Sequence, residues 1–254
     1  MNLSSSPAHQ PPLPAPGERW ALFLDFDGTL VPIAARPSAV RWRPLLGAQL
    51  QRLERALEGA LAVVSGRAIE DLARIIAPTC VTLAGLHGLE QLDARGNHVR
   101  CAPAVPLPAT VGAQLRALAA PRPGLEIEEK GPSIAVHYRH APHLAEKVRS
   151  ELDRIVRDLG PDWMLQTGKM VVELRPAGRD KGTVIDEFLQ CAPFRGRNPV
   201  YVGDDDTDEA AFAVVNARAG ISVKVGSGAT SAHWRLRSVS QVWWWLRALT
   251  QRLE

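Results

Sequence analysis

Cysteine is scarce in this 254-residue chain, and the three present, Cys80, Cys101 and Cys191, are far apart and odd in number. That spacing excludes a disulfide scaffold and a zinc cluster, and it fits a reducing compartment. Lysine is also scarce for a basic protein, since only five of the 30 basic residues are lysine. The net charge is only +3, with no basic block and no aromatics interleaved with basic residues. Nucleic acid is therefore not an expected partner. No apolar run approaches the roughly 20 residues that span a bilayer, and the opening MNLSSSPAHQPPLPAPG lacks a basic start followed by an apolar segment. The expectation is a soluble, cytoplasmic protein with no membrane contact.

What is present is enough to fold. At 46% hydrophobic residues the chain can bury one large core or two unequal ones. Residues 1–18 hold five of the 20 prolines and little apolar material, which predicts a flexible tail. From 19 to 102 short apolar runs alternate with amphipathic segments: ALFLDF (21–26), a helix over 45–60, LAVVSGR (61–67), a helix over 68–76 and TCVTLAGLHG (79–88). Strand, loop, helix, strand is the pattern of a parallel sheet covered on both faces. Prolines cluster at 103–108, and 103–175 then reads as an α+β insert. It holds a helix over 109–120, a hairpin around Lys130-Gly131, a helix over 142–159 and a further strand in MVVEL. The α/β pattern returns over 176–254 with a helix at 183–190, the strand PVYVGDD, helix character over 207–217, GISVKVG and a terminal helix. In that last helix Val239, Val242, Trp243, Leu246 and Leu249 share a face, which Trp244 and Trp245 cannot both join.

Acids gather where apolar strands stop. Asp25 and Asp27 flank Phe26 at the end of the first strand, and strand alternation would set both carboxylates on one side. Two such carboxylates repel unless a proton or cation intervenes, which suits a magnesium and nucleophile pair. Gly28 permits a tight turn, and Thr29 can help to receive an anion. A second acidic group, Asp204-Asp205-Asp206-Thr207-Asp208, follows PVYVG, and ligands of α/β sheets bind beyond the carboxyl ends of strands. Ser65-Gly66-Arg67 lies between a strand and a helix, where a hydroxyl, backbone N–H groups and a helix amino end can hold phosphate oxygens. Arg67 either adds charge there or braces the loop. Lys181 begins a helix, an electrostatically unfavourable place for a cation, and so asks for an anionic partner.

With these segments in order, LDFDGTL (24–30), VVSGR (63–67), RDKG (179–182) and VGDDDTD (202–208), the sequence resembles the haloacid dehalogenase-like phosphatase superfamily. GLHGLE (85–90), EEKGPSIAVHYR (128–139) and GKMVVELRPAGRDKG (168–182) make it similar, more narrowly, to the trehalose-6-phosphate phosphatase family. The resemblance implies a Rossmann-like core with an inserted α+β cap. It further implies Mg2+-dependent hydrolysis of trehalose 6-phosphate through an aspartyl phosphate on Asp25, with Asp27 as acid and base. Ser65 and Lys181 would hold the phosphoryl oxygens, supported by Gly28, Thr29, Gly66 and Arg67. Asp25, the Asp27 backbone carbonyl and Asp204 would bind the metal, with Asp205 and Asp208 orienting its waters or Lys181. Sugar recognition would fall to Glu128, Lys130 and Glu173. His87, His137 and Arg139 are further candidates to shape the substrate cleft, with core packing or hydrogen bonding to the hairpin as the alternative for each histidine. The alternatives are another sugar phosphate, such as sucrose 6-phosphate or mannosylglycerate phosphate, or a noncatalytic sugar-phosphate-binding module. A trehalose-phosphate synthase is the one protein partner to consider, through the tail before Trp20.

Overall fold

The computed structural model describes residues 10–34, 40, 44–76, 81–100 and 106–254. Cys80, Cys101, Pro103 and the expected boundary at 102–103 lie outside these residues. The chain order is β1 (Trp20–Leu24), α1 (Pro44–Ala56), β2 (Leu61–Val64), α2 (Ile69–Ile76), β3 (Thr82–Gly85), β4 (Glu90–Leu92) and β5 (His98–Arg100). It continues through α3 (Ala109–Ala119), β6 (Glu126–Glu129), β7 (Ile134–His137), α4 (Ala145–Leu159), β8 (Trp163–Gly168) and β9 (Val171–Pro176). The last third is α5 (Lys181–Leu189), β10 (Asn198–Gly203), α6 (Glu209–Ala217), β11 (Ile221–Val225), β12 (Trp234–Leu236) and α7 (Val239–Leu253). Two compact units result, one of residues 1–100 with 180–254 and one of residues 101–179.

The larger unit is built on an eight-stranded sheet in the order β12-β11-β10-β1-β2-β3-β4-β5. Its strands run parallel except where β4 and β5 add on antiparallel. β1 shows why both faces must be covered: Trp20, Leu22 and Leu24 point into one core, Ala21 and Phe23 into the other. Leucines of α1, α2 and α7 fill the first core, and Val184, Ile185 and Phe188 of α5 with Phe212 and Val215 of α6 fill the second. After β1 the chain moves outward to β2 and β3, then returns on the other side of β1 as β10. The connections therefore diverge at the carboxyl ends of β1 and β10, where an open α/β sheet places its ligands.

The smaller unit is a four-stranded antiparallel sheet, β6-β7-β9-β8, with α3 and α4 packed on one face. Ile127, Ile134, Val136, Leu165, Val172 and Leu174 face those helices, so the alternate residues of each strand lie on the other face. This unit runs past the expected end at 175 because β9 extends to Pro176 and the Ala177 N–H donates to the Asp162 carbonyl.

Several expectations change. Gln10–Glu18 is not a free tail. The Pro12 carbonyl accepts from Trp245 Nε1 at 3.2 Å, the Pro14 carbonyl from Arg252 Nε at 3.2 Å, and Glu18 Oε1 from Asn198 Nδ2 at 2.7 Å. Proline carries no N–H to leave unsatisfied, so a proline-rich strip can dock through carbonyls alone. The buried stripe of α7 is Val242, Trp245, Leu246, Leu249 and Thr250. Trp245 is buried in the core and stacks on Trp20 with centroids 6.3 Å apart, and Trp243 packs against the same core from its edge. Trp243 is half-buried and donates to the Leu30 carbonyl at 2.8 Å, while Trp244 is exposed. Within the expected run over 79–88, of which 81–88 are described, the strand spans Thr82–Gly85 and stops there because Leu86 and His87 turn with φ of 50° and 54°. β4, β5, β8 and β12 carry too few apolar residues in alternation to stand out by periodicity.

Candidate active site

β1 delivers Asp25 into the protein interior, where it is 4% exposed. The next turn closes on itself: the Phe26 carbonyl accepts from Leu30 and Val31, and the Gly28 N–H donates to the Val31 carbonyl. Gly28 takes φ 84°, and a Cβ there would lie 2.2 Å from Asp204 Oδ2. Only glycine permits both the turn and the approach of the second acidic loop.

The two acids of the first motif part company. Asp25 accepts from Lys181 Nζ at 2.7 Å, whereas Asp27 accepts from Arg67 Nε at 2.5 Å and Nη2 at 2.7 Å. Their expected mutual repulsion is thus relieved by two separate cations, and Arg67 braces Asp27. The carboxylates that gather are those of Asp25, Asp204 and Asp208, all buried, with one oxygen from each lying within 4.8 Å of the others. The Asp27 carboxylate is outside that group.

Asp208 organises the second loop. Its Oδ1 accepts from Lys181 Nζ and from the Tyr201 hydroxyl, both at 2.6 Å, and its Oδ2 accepts from the Asp205 N–H at 2.8 Å. The Asp205 side chain in turn accepts from the Asp206 N–H at 2.6 Å and from the Asp208 N–H, and the latter completes a capping box on the short turn before α6. Lys224, buried on β11, donates to the Asp205 carbonyl at 3.4 Å. Lys181 starts α5 behind Asp180, which caps the helix by accepting from the Thr183 N–H at 2.8 Å. The two anionic partners demanded by its position are Asp25 and Asp208.

Charge decides what this cluster can hold. Burial pushes the Asp25 carboxyl well up, Lys181 acts against it, and Asp208 and Asp204 add to the rise. Burial would lower the Lys181 ammonium, but Asp208 and Asp25 outweigh it and raise its pKa. For Asp208, burial acts upward and Lys181 prevails, leaving the carboxyl below its ordinary value. Three carboxylates facing one ammonium leave an excess of two negative charges in a buried, all-oxygen pocket. Hard divalent cations take such ligands, and a +2 ion makes the site electrically neutral.

Beside this cluster, Ser65 is buried and its Oγ accepts from the Arg67 N–H at 3.2 Å. The loop is tied to the turn after β3, since His87 N–H donates to the Ser65 carbonyl and Leu86 N–H to the Arg67 carbonyl. The His87 ring lies over Gly66, where a Cβ would come 2.8 Å from Nε2. The expected anion site at the start of α2 is partly taken, because Glu90 Oε2 accepts from the Ile69 N–H at 3.0 Å. Thr29 is fully buried, and its hydroxyl has no hydrogen-bond partner among the described residues.

In the smaller unit Glu173 Oε1 accepts from Ser133 Oγ at 2.6 Å and Oε2 from Lys130 Nζ at 2.9 Å. Glu128 Oε2 pairs with His137 Nε2 at 2.8 Å. Burial acts to raise Glu128, but His137 and Lys130 hold its carboxyl below the ordinary value. Arg139 is exposed and donates to the Lys169 carbonyl at 3.1 Å, apart from these hydrogen bonds. Sequence reasoning did not single out Tyr201, Glu90, Lys224 or Ser133. Tyr201, Glu90 and Ser133 sit in or beside recognised motifs, and a search there for buried polar residues near acids would have raised them.

A family model described as trehalose-phosphatase matches residues 23–240. The chain is 43% identical over 237 residues to the trehalose-6-phosphate phosphatase of Escherichia coli, covering 93% of this chain and 88% of that protein. It is 42% identical over 209 residues to a probable trehalose-phosphate phosphatase of Sinorhizobium fredii, covering 82% and 78%. Among solved structures, the C-terminal domain of C. albicans trehalose-6-phosphate phosphatase superposes with a TM-score of 0.81 at 25% identity, covering 92% of each chain. Among the described residues, no helix is long and apolar enough to cross a membrane.

Proposed function

The chain belongs to the trehalose-phosphatase family, and from that premise we propose that Asp25 is the nucleophile of a magnesium-dependent hydrolysis of trehalose 6-phosphate to trehalose and phosphate. The observation that carries this reading is the buried ammonium of Lys181 shared between Asp25 and Asp208, with Asp204 alongside. Lys181 aims one Asp25 oxygen, and a group so held needs no reorganisation when it attacks.

In the first step Asp25 forms a bond to phosphorus while the bond from phosphorus to the sugar oxygen breaks, and Asp27 gives its proton to that oxygen. In the second, Asp27 takes a proton from water, the water oxygen bonds to phosphorus, and the Asp25–phosphorus bond breaks. Arg67 fixes where the Asp27 carboxylate stands and must yield one contact when Asp27 carries its proton. Ser65 and Lys181 donate to the equatorial phosphoryl oxygens, and the Thr29 hydroxyl and Gly66 N–H are further donors at the same edge. Asp25 and Asp204 would hold the magnesium ion, with the Asp27 carbonyl as the third protein oxygen. Asp208 is assigned to fixing Lys181 and the loop rather than to the metal, since its Oδ1 already accepts from both Lys181 and Tyr201 and its Oδ2 from the Asp205 N–H. When bound, the ion supplies charge neutralisation at the phosphoryl group.

Residues 101–179 are assigned as the cap domain that selects the sugar, through Glu128, Lys130 and Glu173. Carboxylates accept from hydroxyl protons, and an ammonium donates to hydroxyl oxygens. The test is phosphate release with magnesium across a panel of disaccharide and monosaccharide phosphates, ranked by kcat/KM. Trehalose 6-phosphate should rank first. A higher rank for sucrose 6-phosphate or a monosaccharide phosphate would overturn the substrate, and loss of release in Asp25→Asn alone would leave the chemistry standing.

A further inference from the structure

The polar face of the small sheet contains a row that the motifs do not reveal. Glu128 pairs in register with Ala135, Ala135 with Glu173, and Glu173 with Gln166, so the four are successive cross-strand neighbours on β6, β7, β9 and β8. Leu165 and Val172 face the helices, which sets Gln166 and Glu173 together on the opposite face. The two acids of this row are already committed: Glu173 to Ser133 and Lys130, Glu128 to His137. The half-buried Gln166 amide takes no part in these hydrogen bonds.

We propose that Gln166 is a further specificity-determining residue, one that hydrogen-bonds a ring hydroxyl of the sugar next to the hydroxyl taken by Glu173. This rests on the reading of the insert as the sugar-selecting unit. A carboxamide both donates and accepts, so it suits a neutral hydroxyl, and it adds no charge beside the Glu173–Lys130 pair. Neighbouring strands lie about 4.8 Å apart, a separation that lets the two side chains engage adjacent hydroxyls of one ring. Glu173 is held rigid by its two donors, and Gln166 is free to adjust to the ring. Division of labour between a fixed acid and an adaptable amide gives discrimination among stereoisomers, because a misplaced hydroxyl leaves the amide without a partner.

The experiment compares Gln166→Leu with Glu173→Gln in the full chain, measuring kcat/KM for trehalose 6-phosphate and for p-nitrophenyl phosphate, with thermal unfolding as the folding check. Gln166→Leu should lower the ratio of the two by about five- to tenfold, through a higher KM for the disaccharide, while the aryl ester reacts as before. Free trehalose should also inhibit this variant more weakly. If Glu173→Gln lowers the ratio and Gln166→Leu leaves it unchanged, the role of Gln166 is wrong and the cap reading survives. If neither variant changes the ratio, both fall together. Should Gln166→Leu fold poorly, Gln166→Thr, which suits a strand and is too short to reach the same hydroxyl, must show the same loss of ratio.

Discussion

Arg67 grips both oxygens of Asp27 in a fork, with Nε 2.5 Å and Nη2 2.7 Å away. A guanidinium holds a carboxylate in a plane that an ammonium cannot reproduce. Arg67→Lys should therefore keep the charge but lose the aim, lowering kcat for trehalose 6-phosphate by roughly tenfold or more. An aryl phosphate, whose leaving group needs no proton, should suffer less. Equal losses on the two substrates would remove Asp27 from proton transfer.

Asp25→Asn should abolish turnover, and it should also stabilise the metal-free protein. The Asp25 carboxyl is raised in the fold by burial and by Asp208 and Asp204. A carboxyl with a raised folded pKa binds its proton more tightly in the native state, so stability declines as pH rises from its unfolded toward its folded pKa. Replacing it with an uncharged isostere removes that cost at neutral pH. Thermal unfolding in a chelator should show a Tm higher by a few degrees, about 2 to 4 °C for each kcal/mol in a chain of this size. Magnesium should then add less stabilisation than it adds to the wild type. A lower Tm in chelator would sink the charge-excess argument.

Gly28→Ala places a Cβ 2.2 Å from Asp204 Oδ2 on a backbone at φ 84°. Backbone strain alone costs on the order of 1 kcal/mol, and Asp204 must also move. Activation should need a magnesium concentration higher by about tenfold, in line with a lost supporting contact at a metal site. An unchanged activation curve would show that Asp204 does not bind the metal.

Ser133→Ala deletes the 2.6 Å hydrogen bond to Glu173 Oε1, a contact buried at both ends. Such a loss costs about 1 to 3 kcal/mol. The KM for trehalose 6-phosphate should rise while turnover of an aryl phosphate is unaffected. Parallel declines on both substrates would mean that Ser133 supports the fold and not the position of Glu173.

Glu209 contributes to the acid limb of stability. Burial acts to raise its carboxyl, but the hydrogen bonds from Ser231 and Thr230, with the charge of Lys224, hold it below its ordinary value. A depressed carboxyl contributes stability above its unfolded pKa and loses it as pH falls through the folded one. The Tm of Glu209→Gln should approach that of the wild type below about pH 4.5 and fall behind it at neutral pH. Curves of Tm against pH that stay parallel from pH 3 to 7 would discard this assignment.

Much of the molecule was legible in one dimension. The runs WALFL, LAVV and NPVYVG are apolar on both sides, which a strand tolerates only when helices cover both faces of its sheet. Acids following such runs fall at the carboxyl edge, because a charge set between two apolar cores would be left without a partner. The helix start at Lys181 likewise announced an anionic partner. These are local consequences of burial and alternation, and they hold wherever the segments end up in space. Tertiary structure alone decided the pairings. Which cation met Asp25 and which met Asp27 depends on strand order, since β10 and β2 flank β1: Asp208 after β10 holds Lys181 against Asp25, and Arg67 after β2 reaches Asp27. That Trp245 is buried while Trp243 packs at the core's edge depended on how α7 was rotated against Trp20. The proline strip before Trp20 is held by donors that come from elsewhere in the sequence, Trp245 and Arg252 of α7 and Asn198 of β10. Alternation within a strand says which residues share a face, but register, which places Gln166 beside Glu173, is set by the hydrogen bonds between strands far apart in sequence.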